Sequence, residues 1–287
     1  MLSKAVALNG YSPKIIWEVN SSPITAPYVI IDTKQIYLDD TYLSHLWSFI
    51  YSLFVIFEES VQKKLLNQEF NGKISFDTPL TNRAWQLYNW SLSLGHAFSE
   101  WDTNLPNPKN YASEREEFYG LKVNAIFSTS VAYILYHEFG HIYLGHTSYL
   151  LKIFNSQIES KKVVNKQMEN DADDFAYHVL LQDSDKNKEV VGLSIIFVFL
   201  SAILIPQSTD CLSQDNHPDL DQRIYNTLSR LNFETEEQEY YTWYFSCFAL
   251  NLFFQKHNHI HHIHEMETAK ELFFECLKEI DKLKNII

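Results

Sequence analysis

Apolar positions recur along the chain at helical spacing, interrupted by short polar connectors, and this pattern predicts helices at about 41–68, 81–100, 121–146, 157–182, 187–205, 219–232, 236–256 and 265–285. Strand-like runs are few. Tyr28-Val29-Ile30-Ile31 and Gln35-Ile36-Tyr37-Leu38 flank Asp32-Thr33-Lys34, which predicts a hairpin, and Lys73-Ile74-Ser75-Phe76 reads as a short strand. The segment 101–118 carries Pro106 and Pro108 among Asn, Asp and Ser, so a loop is expected there, placed to gate a site. No repeat and no interdomain linker interrupts the series. The expected fold is mainly α with a small β-sheet (α+β), one domain over 1–287: N-terminal strands at about 28–40, a core at about 121–232 and C-terminal helices at 236–287.

Val190 to Pro206 is apolar but short for a membrane span of about 20 residues, holds Ser194 and Ser201, and ends at proline. A buried core helix is expected, with membrane association the disfavoured alternative. The stretch 46–57 is shorter still. Apolar residues at 46% suffice for a packed core, and a formal charge of −13 disfavours nucleic acid as partner, since phosphate contacts need clustered Lys and Arg. Cys211, Cys247 and Cys276 are odd in number and widely spaced, which suits reduced thiols. Residues 1–19 hold no sustained apolar run of the secretory kind. Together these predict a cytoplasmic protein; its oligomeric state is not set by the sequence.

The helix expected at 121–146 carries His137-Glu138-Phe139-Gly140-His141. Histidines at i and i+4 share a helix face about 6 Å apart at Cβ, so both rings can reach one ion. Glu138 lies beside them, placed to take a proton from an attacking water, the arrangement of HExxH metalloproteases. Apolar neighbours on both sides, Ala132 to Tyr136 and Ile142 to Leu144, argue that the motif is buried, where unpaired polar groups are costly. A catalytic zinc (Zn2+) takes three protein ligands and keeps one position open. Glu169, on the following helix, is the best third ligand, with Asp173 at i+4 supporting a ligand histidine. Asp173 as ligand with Glu169 in support is the weaker variant, and a solvated acidic face of Glu169, Asp171, Asp173 and Asp174 is the bland one. Further on, His217-Pro218 opens a helix in which Arg223 could orient a carboxylate, while His217 either donates to the reaction's oxyanion or only begins the helix.

Three segments, YHEFGH, ENDAD and HPDLDQRI, resemble those of gluzincin zinc metallopeptidases. The HP-x4-RI element is similar to the M48 type. HEFGHIYLGH followed by ENDADDFAYHVLL resembles the ImmA/IrrE-type peptidases, which cleave bacterial repressors. Length, acidic helical character and motif position resemble the Lit-type (U49) phage-exclusion peptidases, which cleave a translation elongation factor during phage infection. The resemblance spans Tyr136 to Ile224. It implies a zincin-like core, zinc held by His137, His141 and Glu169, Glu138 as catalytic base, His217 as oxyanion donor, Asp173 in support, and a protein or peptide substrate.

A non-catalytic alternative is an interaction protein in which zinc staples helices, which would call for a fourth protein ligand such as His217 or His146. His146, five residues past His141, falls off the ligand face by the helical period and is expected to pack or cap the helix end. His257, His259, His261, His262 and His264 form a histidine-rich tract that reads as a solvated connector or, less favoured, a metal site.

Overall fold

A computed structural model of the chain describes residues 14–19, 21–153, 158–182, 188–206, 208–215, 217–259 and 267–285. Three strands, β1 (Ile15–Glu18), β2 (Tyr28–Ile30) and β3 (Gln35–Asp39), form one sheet in the order β1-β3-β2. The expected hairpin is β2–β3, antiparallel with Tyr28 opposite Tyr37, whereas β1 joins the other edge of β3 in parallel. Ile36 on β3 is fully buried and packs on Phe139 and Ile142, so the sheet rests on the helix that bears the motif.

Asp39 ends β3 and caps α1 (Asp40–Phe57) by accepting from the Thr41 backbone N–H. Helix α1 is buried almost all round: Leu46, Phe49, Ile50, Leu53, Val55 and Ile56 have no exposed surface. The helix predicted to 68 does not run on unbroken, because a π-helical turn at Glu58–Gln62 intervenes before a last turn at Lys63–Leu66. Helix α2 (Pro79–Ser93) begins with a Thr78/Thr81 capping box and Pro79 in its first turn, and stops short of the expected residue 100.

Residues 73–76 are not a strand. Among the described residues no strand lies beside them; the Ser75 carbonyl accepts from the Ser60 hydroxyl instead, and Phe76 stacks on Trp85. The loop expected over 101–118 ends at Ser113, which caps α3 (Glu114–Tyr143) by accepting from the Glu116 N–H. Three glutamates in its first turn suit the positive end of the helix dipole. Glu116 is buried against Arg83 at 2.5 Å. The loop therefore sits at the N-terminal end of α3, whereas the motif lies in the last two turns of this 30-residue helix, about 35 Å along its axis. That placement removes the gating role expected of the loop.

After α3 come α4 (His146–Ile153), α5 (Ile158–Gln182), α6 (Lys188–Leu204), a short 3-10 turn, α7 (Leu220–Arg230), α8 (Glu236–Lys256) and α9 (Ala269–Lys284). Helix α6 is the apolar run singled out above. Its residues Ile196, Phe197, Leu200, Ile203 and Leu204 are fully buried, as an all-round apolar helix should be inside a large core. Among the described residues no helix is long and apolar enough to cross a membrane. Thr235/Gln238 and Thr268/Glu271 capping boxes start α8 and α9. Lys284, near the end of α9, reaches Asp219 and Asp221 at 2.8 Å and so ties the C-terminal helix to the start of α7.

Candidate active site

Two helices carry the ligand-type side chains. His137, Glu138 and His141 project from the end of α3, each 8 % exposed. Opposite them α5 presents Glu169 and Asp173. The helices meet closely at Gly140, where a Cβ would lie 3.3 Å from the Ala172 Cα and 3.2 Å from the Phe175 ring. A glycine inside the motif thus lets α5 approach, and Glu169 and Asp173 flank that contact one residue or one turn away. His137 Nε2 and His141 Nε2 are 3.3 Å apart; Glu169 Oε2 lies 3.3 Å from the first and Oε1 3.4 Å from the second.

Asp173 sets the tautomer of His137. Its carboxyl group, held well below the usual carboxylate range because Arg223 and His137 outweigh the opposing effect of burial, is ionised and can only accept. Asp173 Oδ1 accepts from His137 Nδ1 (2.8 Å), Tyr133 Oη (2.7 Å) and Arg223 Nη2 (2.6 Å), and Oδ2 accepts from Arg223 Nε (2.8 Å). The Arg223 guanidinium also stacks on Phe199, 4.4 Å from the ring centroid. His137 therefore turns an Nε2 lone pair towards His141 and Glu169.

Three electron-rich atoms at such separations repel one another unless a proton or a cation lies between them. Ligands held tetrahedrally at 2.0–2.1 Å from one zinc stand about 3.3–3.4 Å apart, so the observed triangle fits that ion without rearrangement. A proton can also take that place. Burial disfavours the His137 cation, but Asp173 and Glu169 prevail and push the ring up to about 10. His141 moves the other way, down to about 3, through burial and its cationic neighbour. Glu169 stays ionised, its burial outweighed by His137 and His217. The field that favours a proton on His137 also draws a divalent cation, which must displace that proton to bind.

Glu138 stands apart from the triangle. Burial and the Glu169 charge raise its carboxyl group to about 7, against the opposing pull of His137. A carboxylate poised near neutrality is matched to proton transfer at physiological pH. His217 approaches from solvent, half exposed, its Nδ1 3.0 Å from Glu169 Oε2.

All seven residues singled out from the sequence, His137, Glu138, His141, Glu169, Asp173, His217 and Arg223, converge here. Asp173 lies behind His137, away from the triangle, so its reading as the ligand is corrected. Asp171 and Asp174 supply the solvated acidic face, with Asp174 paired to Arg230. Among the described residues only His137, His141 and Glu169 can converge on one ion, one ligand short of a closed structural site. His146 packs and stays out of the ligand group, as expected, but its contact was not foreseen. Helix α3 ends at Tyr143 and the helical period lapses; Gly145 turns the chain with φ +79°, and the buried His146 ring comes back to place its Nδ1 3.1 Å from His141 Nδ1. Tyr133 was not foreseen either, although its i−4 spacing from His137 was a legible sign. In the histidine tract, His259 pairs with Glu279 at 2.9 Å and His257 packs at a tilt against Phe253, while His261, His262 and His264 lie outside the described residues. Cys247 and Cys276 are buried free thiols, and the Cys211 side chain is outside the described set.

Two imidazoles and a carboxylate that could hold a metal ion, beside a further carboxylate raised to about 7, are groups suited to hydrolysis. The profile of one family, Peptidase U49, matches residues 36–246, well over half of the chain and every residue of this site, and the chain belongs to that family. The Lit-type resemblance is met by that match; the likeness to the M48 and ImmA/IrrE types stays one of motifs. Comparison with curated proteins and with solved structures returns no match.

Proposed function

We propose that this U49 peptidase is a zinc-dependent endopeptidase acting on one specific cytoplasmic protein, in phage defence or an allied regulatory switch. The observation that carries the chemistry is the triangle of His137 Nε2, His141 Nε2 and Glu169 carboxylate oxygens, with edges of 3.3 to 3.4 Å, beside a carboxylate tuned to about 7. The narrow substrate choice and the phage-exclusion role rest on the Lit-type resemblance.

His137, His141 and Glu169 would hold the ion. When bound, zinc supplies Lewis acidity towards the scissile carbonyl and acidifies water. Glu138 takes one proton from the attacking water as its oxygen bonds to the carbonyl carbon, then passes that proton to the departing amine nitrogen as the C–N bond breaks. His217, at the solvent side, donates to the oxyanion that develops on the carbonyl oxygen. Asp173, Tyr133 and Arg223 keep His137 oriented throughout.

Host-cell lysate incubated with the wild type and with Glu138→Gln, then compared for new protein termini, tests the reading. A discrete new terminus is expected with the wild type alone, with cleavage at least about a hundredfold slower in the variant. Zinc should remain bound in E138Q and its removal by chelation should stop the wild type. Cleavage undiminished in E138Q would overturn the assignment.

A further inference from the structure

His137 and His141 are both buried imidazoles facing Glu169, yet only His137 has a carboxylate behind it. Behind His141 stands another imidazole. His141 Nδ1 and His146 Nδ1 are 3.1 Å apart, so one hydrogen lies between them and one of the two nitrogens offers a lone pair. There are two ways to place that hydrogen. If His146 donates, neutral His141 carries its own hydrogen on Nε2, aimed into the triangle 3.3 Å from His137 Nε2, and His146 turns a bare Nε2 towards the Asp171 carboxylate. If His141 donates, its Nε2 lone pair faces His137 Nε2 and Glu169, and His146 places an N–H towards Asp171, 4.0 Å away. That gap is too long for a hydrogen bond, but the carboxylate's field favours the N–H orientation. In the first arrangement the Nε2–H can donate to Glu169 Oε1, 3.4 Å away, but it then occupies the position a ligand lone pair needs; only the second leaves a lone pair on the triangle and an N–H facing Asp171.

We infer that His146 is a positioning residue: its Nδ1 accepts the His141 Nδ1–H and holds the His141 Nε2 lone pair on the ligand triangle, as Asp173 does for His137. The inference rests on the metal reading above. Its structural means is the turn at Gly145, whose left-handed φ of +79° carries the chain back so that the first residue of α4 meets the last turn of α3. A partner on the unligated ring nitrogen fixes the tautomer and the orientation of a metal-binding histidine and strengthens its basicity; loss of such a partner commonly costs ten- to a hundredfold in metal affinity.

Two substitutions separate this role from packing. Asn carries its acceptor oxygen at the same δ position as the histidine Nδ1, whereas Leu puts a methyl group there. Zinc affinity of the full chain, measured against a competing chromophoric chelator, should fall about ten- to a hundredfold in His146→Leu and be largely kept in His146→Asn. Nitrogen-15 imidazole shifts of the metal-free protein should show His141 protonated on Nδ1 in the wild type and in H146N, and shifting towards Nε2 protonation in H146L. Unchanged affinity and tautomer in H146L, or equal losses in both variants, would overturn the inference. A wild type that binds no zinc would sink the metal reading instead, and the His141 tautomer in the metal-free protein would still decide the part played by His146.

Discussion

The bundle of α1, α6 and α8 and the cleft between α3, α5 and α7 are both buried, but they satisfy their polar groups in opposite ways. In the bundle the hydroxyls turn back on their own helices: Ser48 donates to the Ser44 carbonyl, Ser52 to Ser48, Ser194 to Val190 and Ser201 to Val198. Each has a partner on its own helix. In the cleft Asp173 of α5 is satisfied by Tyr133 and His137 of α3 and by Arg223 of α7, and His141 by His146 of α4. No group there is complete alone. The bundle is built to tolerate change at single polar positions; the cleft is built so that one loss strands several partners.

Removing Arg223 should therefore produce the largest effect. Arg223→Met leaves Asp173 ionised and mostly buried with half of its donors gone, a loss that costs about 3 kcal/mol or more when a buried pair is broken from one side. Urea unfolding should show it, and peptidase activity should fall with it as His137 loses its fixed partner. Arg223→Lys should recover little, since an ammonium cannot reproduce the two-pronged contact. The double variant Asp173→Asn, Arg223→Met should regain much of the stability, because no charge is left stranded, without regaining activity. Recovery of both together would show the network to be structural scaffolding only.

His45 tests the bundle from the other side. It is a polar group of α1 that looks across to another helix, its Nδ1 donating to the Ser91 carbonyl of α2 at 2.9 Å. Burial lowers its pKa from 6.5 to about 4, against the smaller opposing effect of that hydrogen bond. The sign follows from which state takes up the proton. Below about 6.5 the unfolded chain protonates this ring while the folded chain does not until about 4, so the stabilisation is whole above 6.5 and drains away as the pH falls to 4. At 1.36 kcal/mol per unit this amounts to about 3 kcal/mol. Wild type and His45→Gln should accordingly diverge over that window, the wild type losing more; parallel pH–stability curves would place the acid sensitivity elsewhere.

The same contrast explains how much could be read from the sequence. Helix α8 was expected at 236–256 and spans those residues, because its capping box and its aromatic periodicity are local signals. The site's main actors were legible for a similar reason: His137, Glu138 and His141 lie in five residues, and Glu169 and Asp173 in five more. Contacts that depend on where the chain returns were not. Strand β1 exists because β3 offers it an edge, whereas 73–76, with comparable composition, finds no edge and stays irregular. That His146 packs was legible, but its contact with His141 was not, because it depends on where the turn at Gly145 returns the chain. Lys284 lies 65 residues from Asp219, and nothing in either neighbourhood marks the pair.

The smallest predicted effect is the most direct check on the comparison. Ser52 is fully buried at the centre of α1, and its hydroxyl donates to the Ser48 carbonyl at 2.7 Å. That carbonyl belongs to the helix ladder and does not depend on the hydroxyl, so Ser52→Ala strands no partner. The alanine fills nearly the same space and has the higher helix propensity, by up to about 0.5 kcal/mol. Loss of a weak hydrogen bond and gain of propensity nearly cancel, and urea unfolding should place S52A within about 0.5 kcal/mol of the wild type. Tyr133→Phe deletes a single hydroxyl too, but one that donates to Asp173 from another helix, and it should cost about 1 to 2 kcal/mol. If the two substitutions cost the same, what separates the regions is not whether a polar group is satisfied by its own helix or by its neighbours.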